Sequence, residues 1–140
     1  MKIRHDFVSN SSSSSFIGII KKGNVLTIKN LTATQLAFLI MFGETIKVFG
    51  HECYIWQNFH TESGYSNIPE DIDIPDVMLK ILDTAKQYNL EVPEDVKLYF
   101  NNDLNIADQQ DFIDESYYLT EQIFNGWALT DFMFASSIDF

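Results

Sequence analysis

The chain is poor in cysteine, in glycine and, beyond its first third, in positive charge. A single Cys53 in 140 residues cannot form an intramolecular disulfide. That excludes a disulfide-stapled secreted scaffold and points to a reducing compartment. The six glycines form neither a P-loop nor a Gly-x-Gly-x-x-Gly turn, and no Gly-x-Ser-x-Gly elbow occurs. The longest unbroken apolar run, Leu36–Phe42, has seven residues, against the roughly 18 that read as a membrane span. Lys2 and Arg4 are not followed by an apolar stretch of signal-peptide length, so no targeting segment is expected. Nine Lys+Arg stand against 20 Asp+Glu, for a formal net charge of −11. Such a chain is a poor neutraliser of phosphates, so direct nucleic-acid binding is not expected. These absences together predict a cytoplasmic protein with no membrane contact.

What is present is enough to build a core. Of the residues, 46% are hydrophobic, with 12 Phe, 6 Tyr and 2 Trp, which excludes a wholly disordered acidic tail. The length suits one domain. Residues 1–15 read as an N-terminal arm with a Ser-rich segment, and 16–140 as a single acidic α+β domain. Phe16–Ile20 and Val25–Lys29 read as strands around the Gly23-Asn24 turn. Thr32 with Gln35 forms a capping box for a helix over Thr32–Phe42, with Gly43 at its C′ position. That helix is apolar nearly all round from Leu36, so it is buried on several sides or lies in a subunit contact. Thr45–Phe49 and Glu52–Asn58 form a second hairpin with Gly50-His51 as its loop, followed by a polar loop over Phe59–Pro69. Pro75 opens a helix to about Asn89, with Ile74, Val77, Met78, Ile81, Leu82 and Ala85 on one face. Asp76, Lys80, Asp83 and Gln87 fall opposite. Val96–Phe100 reads as a strand. A helix runs from Ile106 to Phe124, capped by Asn105 and ended by Asn125-Gly126. Trp127–Phe140 fits either a strand or a short helix. The order ββαββαβαβ predicts a single α+β domain with a mainly antiparallel sheet and about three helices.

Arg4-His5-Asp6-Phe7-Val8-Ser9-Asn10, the five serines Ser11–Ser15 and Phe16 form a distinctive string. It resembles the opening of many small bacterial and bacteriophage proteins, which begin with a basic residue, Phe-Val-Ser/Thr-Asn, five serines and Phe. The resemblance covers about the first 17 residues. It implies a phage or mobile-element setting, in which small accessory proteins often block host machinery. It carries over no functional residue.

Few arrangements could support chemistry. His51, Cys53 and His60 lie within ten residues, with Glu52 and Glu62 nearby, and His51-x-Cys53 on a strand shares one face. Zinc needs four N or S ligands, or three plus water, and no Cys-x-x-Cys is present, so no metal site is expected. His5-Asp6 beside many serines lacks the geometry of a triad. Cys53 has no adjacent base to form the thiolate and reads as a small buried residue. With twenty acids, carboxylate pairs arise by number alone; only Asp131 and Asp139 sit among aromatics. No catalytic residue and no cofactor are expected.

The charge is unevenly placed. Residues 1–50 hold six Lys+Arg and two Asp+Glu, a balance of +4; residues 51–140 hold three Lys and eighteen Asp+Glu, a balance of −15. On a helical wheel from Ile106, Phe112, Ile113, Ser116, Leu119, Thr120, Ile123 and Phe124 occupy one arc. Asp108, Asp111, Asp114, Glu115 and Glu121 occupy the other, with Tyr118 among them and no base at i±4. Glu70, Asp71, Asp73 and Asp76 form a second acidic cluster. A charged helix face is most often a solubilising one. Here it also predicts a surface that imitates nucleic acid and binds the basic groove of a nucleic-acid-handling protein, with Tyr118 as an apolar anchor. The rival expectation is a structural or assembly protein, a virion component or homo-oligomer, from the apolar Leu36–Phe42 and the Phe-rich tail. A third reading, ranked last, is a small metal-dependent enzyme using His51, Cys53 and His60.

Overall fold

The computed structural model describes residues 14–61, 64–65, 71–124 and 133–139, with side chains described for 17–57 and 71–124. Five strands, β1 (Ser14–Lys21), β2 (Glu44–Val48), β3 (His51–Thr61), β4 (Gly64–Tyr65) and β5 (Met133–Asp139), form one sheet in the order β2-β3-β1-β5. β4 pairs with the far end of β3. Every pairing is antiparallel. With helices α1 (Ala33–Phe42), α2 (Ile74–Gln87), α3 (Glu94–Phe100) and α4 (Ile106–Glu121), the fold is α+β.

β1 takes in the last two serines of the run and lies between β3 and β5, with Gly18 opposite both Trp56 and Ala135. Side chains directly across an antiparallel ladder share a face. Gly18, Ile20, Tyr54 and Trp56 therefore form the inner face. Ile20 and Trp56 belong to one core with Phe38 and Leu39 of α1, Met78 and Ile81 of α2, Val96 of α3 and Ile113 and Tyr117 of α4. Gly18 is required by packing: a Cβ there would sit 2.6 Å from the Phe124 ring. Ile17, Ile19, Ile55, Ile46 and Val48 share the outer face by the same register, are half-buried, and take no part in that core.

The elements follow from local chemistry where it is strong. Thr32 accepts from the Gln35 backbone N–H at 3.1 Å, and the Gln35 side chain accepts from the Thr32 backbone N–H at 3.0 Å, which completes the capping box of α1. Ala33, Leu36, Ala37, Phe38 and Leu39 are buried within the single chain, so the apolar character of α1 is accounted for by its own core. Gly43 ends α1 at φ −78, so it is needed for space and not for a left-handed turn. A Cβ there would come 2.5 Å from the Leu39 carbonyl oxygen. α2 is capped by Asp73, with Pro75 in its first turn, and buries Val77, Met78, Ile81 and Ala85.

Four expectations are corrected. The segment expected as a strand over Val25–Lys29 is a 3-10 helix over Lys22–Thr27, in which the Thr27 hydroxyl donates to the Asn24 carbonyl at 2.6 Å. That local bond offers the backbone an alternative to a ladder. Val96–Phe100 is helical, because Pro93 sets the N-cap and Glu94 and Asp95 occupy the first turn, where the helix dipole favours acids. The hairpin loop is Phe49-Gly50, with Val48 opposite His51, one residue earlier than Gly50-His51. Its φ values of 50 and 82 are those of a tight two-residue turn matched to the strand twist. The polar loop expected over Phe59–Pro69 is in part strand, since β3 runs on to Thr61 and β4 covers Gly64–Tyr65. In the tail left open between strand and helix, Met133–Asp139 is strand β5.

Candidate acidic interface

α4 starts where Asn105 accepts from the Asp108 backbone N–H at 2.8 Å. At about 100° per residue, Asp108, Asp111, Asp114, Glu115 and Tyr118 fall within an arc of roughly 120°. All five are exposed, Tyr118 by 47%. Asp114 also accepts from the Gln110 amide at 3.0 Å. No basic residue lies on α4. Asp108 is favoured by the N-terminal dipole, whereas Asp114 and Glu115, farther along, gain little from it. The i, i+3 and i, i+4 acid pairs each cost about 0.2–0.5 kcal/mol.

The buried arc of α4 is rotated from the expected one by roughly 60° on the same wheel. Ile113, Ser116, Tyr117 and Thr120 are buried, and so is Glu121 at 8% exposure. Glu121 is therefore not part of the acidic face, and Leu119, expected inside, is 38% exposed. Tyr117 drives the rotation: its ring packs on Phe38, Phe42 and Trp56 at 5.4, 5.4 and 5.5 Å. Ser116 and Thr120 can join the buried side because each hydroxyl donates to the carbonyl four residues back, at 2.6 and 2.7 Å. The Gln35 amide donates to the Leu119 carbonyl at 2.7 Å and ties α1 to α4.

In the second cluster, Asp71, Asp73 and Asp76 are exposed; Glu70 lies outside the described residues. Asp73 is committed to capping α2, accepting from the Asp76 backbone N–H at 3.3 Å. A groove of about 510 Å³ where α2, the end of α3 and the start of α4 meet is lined by Pro75, Tyr99, Phe100, Asn102, Leu104 and Gln109, and by none of the acids of either cluster. The sequence reading missed this groove and the exposed Asp103 beside it. Its signal was weak: its lining comes from three elements, and Tyr99 and Leu104 also pack against the core.

His51 is exposed and Cys53 buried on the outer sheet face, with the thiol donating to the His51 carbonyl at 3.5 Å. Among the described residues no three His, Cys, Asp or Glu side chains come together. The side chain of His60, with Glu62, His5 and Asp6, lies outside the described residues, as do the side chains of Asp131 and Asp139. No described helix is long and apolar enough to cross a membrane. The chain matches no known family, no curated protein and no solved structure.

Proposed function

We propose that the protein is a non-enzymatic, phage-type accessory protein that binds and inhibits a nucleic-acid-handling protein of a bacterial host or competitor. It would work in the bacterial cytoplasm through an acidic surface that imitates nucleic acid. The observation that carries this reading is the exposed face of α4, where Asp108, Asp111, Asp114 and Glu115 stand together on a helix with no base. At about 1.5 Å rise per residue, these acids advance in steps of about 4.5–6 Å. Phosphates along one DNA strand advance about 3.4 Å per nucleotide, so a groove lined by Lys and Arg meets charge at a comparable density. The phage setting rests on the resemblance of Arg4–Phe16.

The test is capture from bacterial lysate at low and high salt, with double-stranded DNA as competitor. The expected result is salt-sensitive capture of a nucleic-acid-binding protein that DNA displaces and that joint Asp108→Lys, Asp111→Lys, Asp114→Lys and Glu115→Lys substitution abolishes. Capture indifferent to DNA and to those four changes overturns the reading.

One observation favours the assembly reading, though no longer the apolar α1. The outer sheet face presents Ile17, Ile19, Ile46, Val48 and Ile55, and its charged residues Lys21 and Glu44 cancel. In a chain of net charge −11, this neutral face is where a second copy meets least repulsion. Sedimentation of wild type and of Ile19→Lys separates the two readings: a dimer lost in the variant supports assembly, and a monomer at all concentrations removes it.

A further inference from the structure

The outer face of the sheet carries a charge pattern of its own. Residues directly across an antiparallel ladder share a face. By that register, Lys21 of β1, Cys53 of β3 and Ile46 of β2 lie in one row. Ile19, Ile55 and Glu44 lie in the next row, in the same strand order. Lys21 and Glu44 therefore stand at opposite corners of a patch, on either side of β3. With strands about 4.8 Å apart and an advance of about 3.3 Å per residue, the two corners are about 12 Å apart. Among the described residues neither Lys21 nor Glu44 makes an ion pair. Glu44 is exposed and Lys21 half-buried. Between them, Ile19, Ile46 and Ile55 are half-buried and belong to no part of the core.

One base and one acid at opposite corners make this patch complementary to itself. Consider a two-fold axis lying against the sheet, crossing β3 between Cys53 and Ile55, at right angles to the line that joins the corners. It brings Lys21 of one copy over Glu44 of a second, and Glu44 of the first over Lys21 of the second. The same rotation lays Ile19 against Ile55 of the second copy and Ile46 against its Cys53. On those strand spacings the axis is inclined to β3 by about 35°, so the two sheets cross at about 70°, toward the orthogonal class of sheet packing. A register that set Lys21 over Ile19 of the second copy would cover both charges with aliphatic carbon and leave them unpaired, which is costly. The four helices pack with the inner face, so the acidic face of α4 stays clear of this contact.

We propose that a second copy of this chain docks on the outer sheet face as a two-fold symmetric dimer, its register fixed by two reciprocal Lys21–Glu44 ion pairs around an aliphatic centre. A two-fold interface is isologous: one patch serves both copies. The inference rests on the assembly reading, to which it adds the register, and is independent of the acidic-interface reading. The patch is small beside the interface of an obligate dimer, so the dimer comes apart on dilution.

The experiment is sedimentation of the full chain at low salt over a concentration series. It compares wild type, Lys21→Glu, Glu44→Lys, the double variant, and an equal mixture of the two single variants with one of them fluorescently labelled. Each single variant is expected to dimerise at least about tenfold more weakly, because like charges then meet twice. The double variant is expected to recover, since the pair is only exchanged. The mixture is expected to form a mixed dimer, because each variant supplies the charge that the other lacks. Equal melting temperatures at low concentration show that the fold is kept. Single variants that dimerise as wild type does, a double variant that does not recover, or a mixture that stays unpaired overturns the register. If Ile19→Lys still abolishes the dimer in that case, the assembly reading stands without it. If wild type is a monomer at every concentration, both fall.

Discussion

Single positions show where this fold is closely fitted and where it is not. At Gly18, the Phe124 ring occupies the space of a Cβ, and a flat ring cannot swing aside as a flexible chain end does. Gly18→Ala is expected to destabilise by about 1–3 kcal/mol, the ordinary cost of overpacking, and Phe124→Leu in the same chain to recover part of it; urea unfolding measures both. Phe49 is 98% exposed at the hairpin tip with φ 50, a conformation that Asn and Gly adopt more easily. Phe49→Asn is expected to raise stability by up to about 1 kcal/mol, read as a higher melting temperature. Tyr117 and Trp56 are buried, and among the described residues neither the Tyr117 hydroxyl nor the Trp56 indole N–H has a hydrogen-bond partner. Tyr117→Phe removes one such group and is expected to be neutral or stabilising by about 1 kcal/mol. Burial also pushes the Tyr117 phenol far above its ordinary value of 10. The folded chain then holds that proton where the unfolded chain releases it, so stability present below pH 10 falls as the pH rises beyond it. Tyr54 is raised as well, first by burial and then by Tyr88 and Glu52, and contributes in the same sense. The alkaline loss should shrink in Tyr117→Phe.

At the scale of elements, Gln35 works at both ends of its amide: its oxygen closes the α1 capping box and its nitrogen reaches the Leu119 carbonyl of α4. Gln35→Ala loses both contacts and is expected to cost about 1–2 kcal/mol, while Gln35→Glu keeps the cap and costs less; guanidinium melts distinguish them. On α4, Asp111→Asn with Glu115→Gln relieves like-charge pairs. It is expected to leave stability unchanged or raised by up to about 0.5 kcal/mol while partner capture falls, which separates a binding face from a structural one. The long helices were legible in the sequence because caps and periodicity agree: Thr32 with Gln35, Asp73 with Pro75, and Asn105. The short elements were not. Val96, Leu98 and Phe100 alternate as a strand would, and over seven residues an alternating pattern and a helical one overlap. The deciding signal was outside the pattern, in Pro93-Glu94-Asp95. The acidic face was legible in outline, with four acids and Tyr118 in place. Its edge was not, because a wheel assigns burial by average hydrophobicity, whereas the pull of Tyr117 toward Phe38, Phe42 and Trp56 depends on where α1 and β3 stand. The groove needed three elements to meet and had no local signature.

Across the whole molecule, charge and sheet are arranged on different principles. The balance of +4 in residues 1–50 and −15 in residues 51–140 makes a chain that repels itself. Raising salt from low to physiological strength is expected to raise its melting temperature while weakening capture of a basic partner, two opposite slopes from one cause. The sheet is held by β1, whose one edge pairs residues 53–60 and whose other pairs residues 133–139. The first strand thus waits for the last. Until the far end of the chain is made, a row of unpaired amide and carbonyl groups on β1 faces outward, and such an edge is where strange strands attach. Loop closure over so long a separation is also slow, so the growing chain passes through a period when its middle is packed and its sheet is unfinished. A small protein of this design is at greatest risk of clumping while it is being synthesised, because β1 follows its two serines with Phe16, Ile17, Ile19 and Ile20, the apolar and β-branched residues that aggregate most readily.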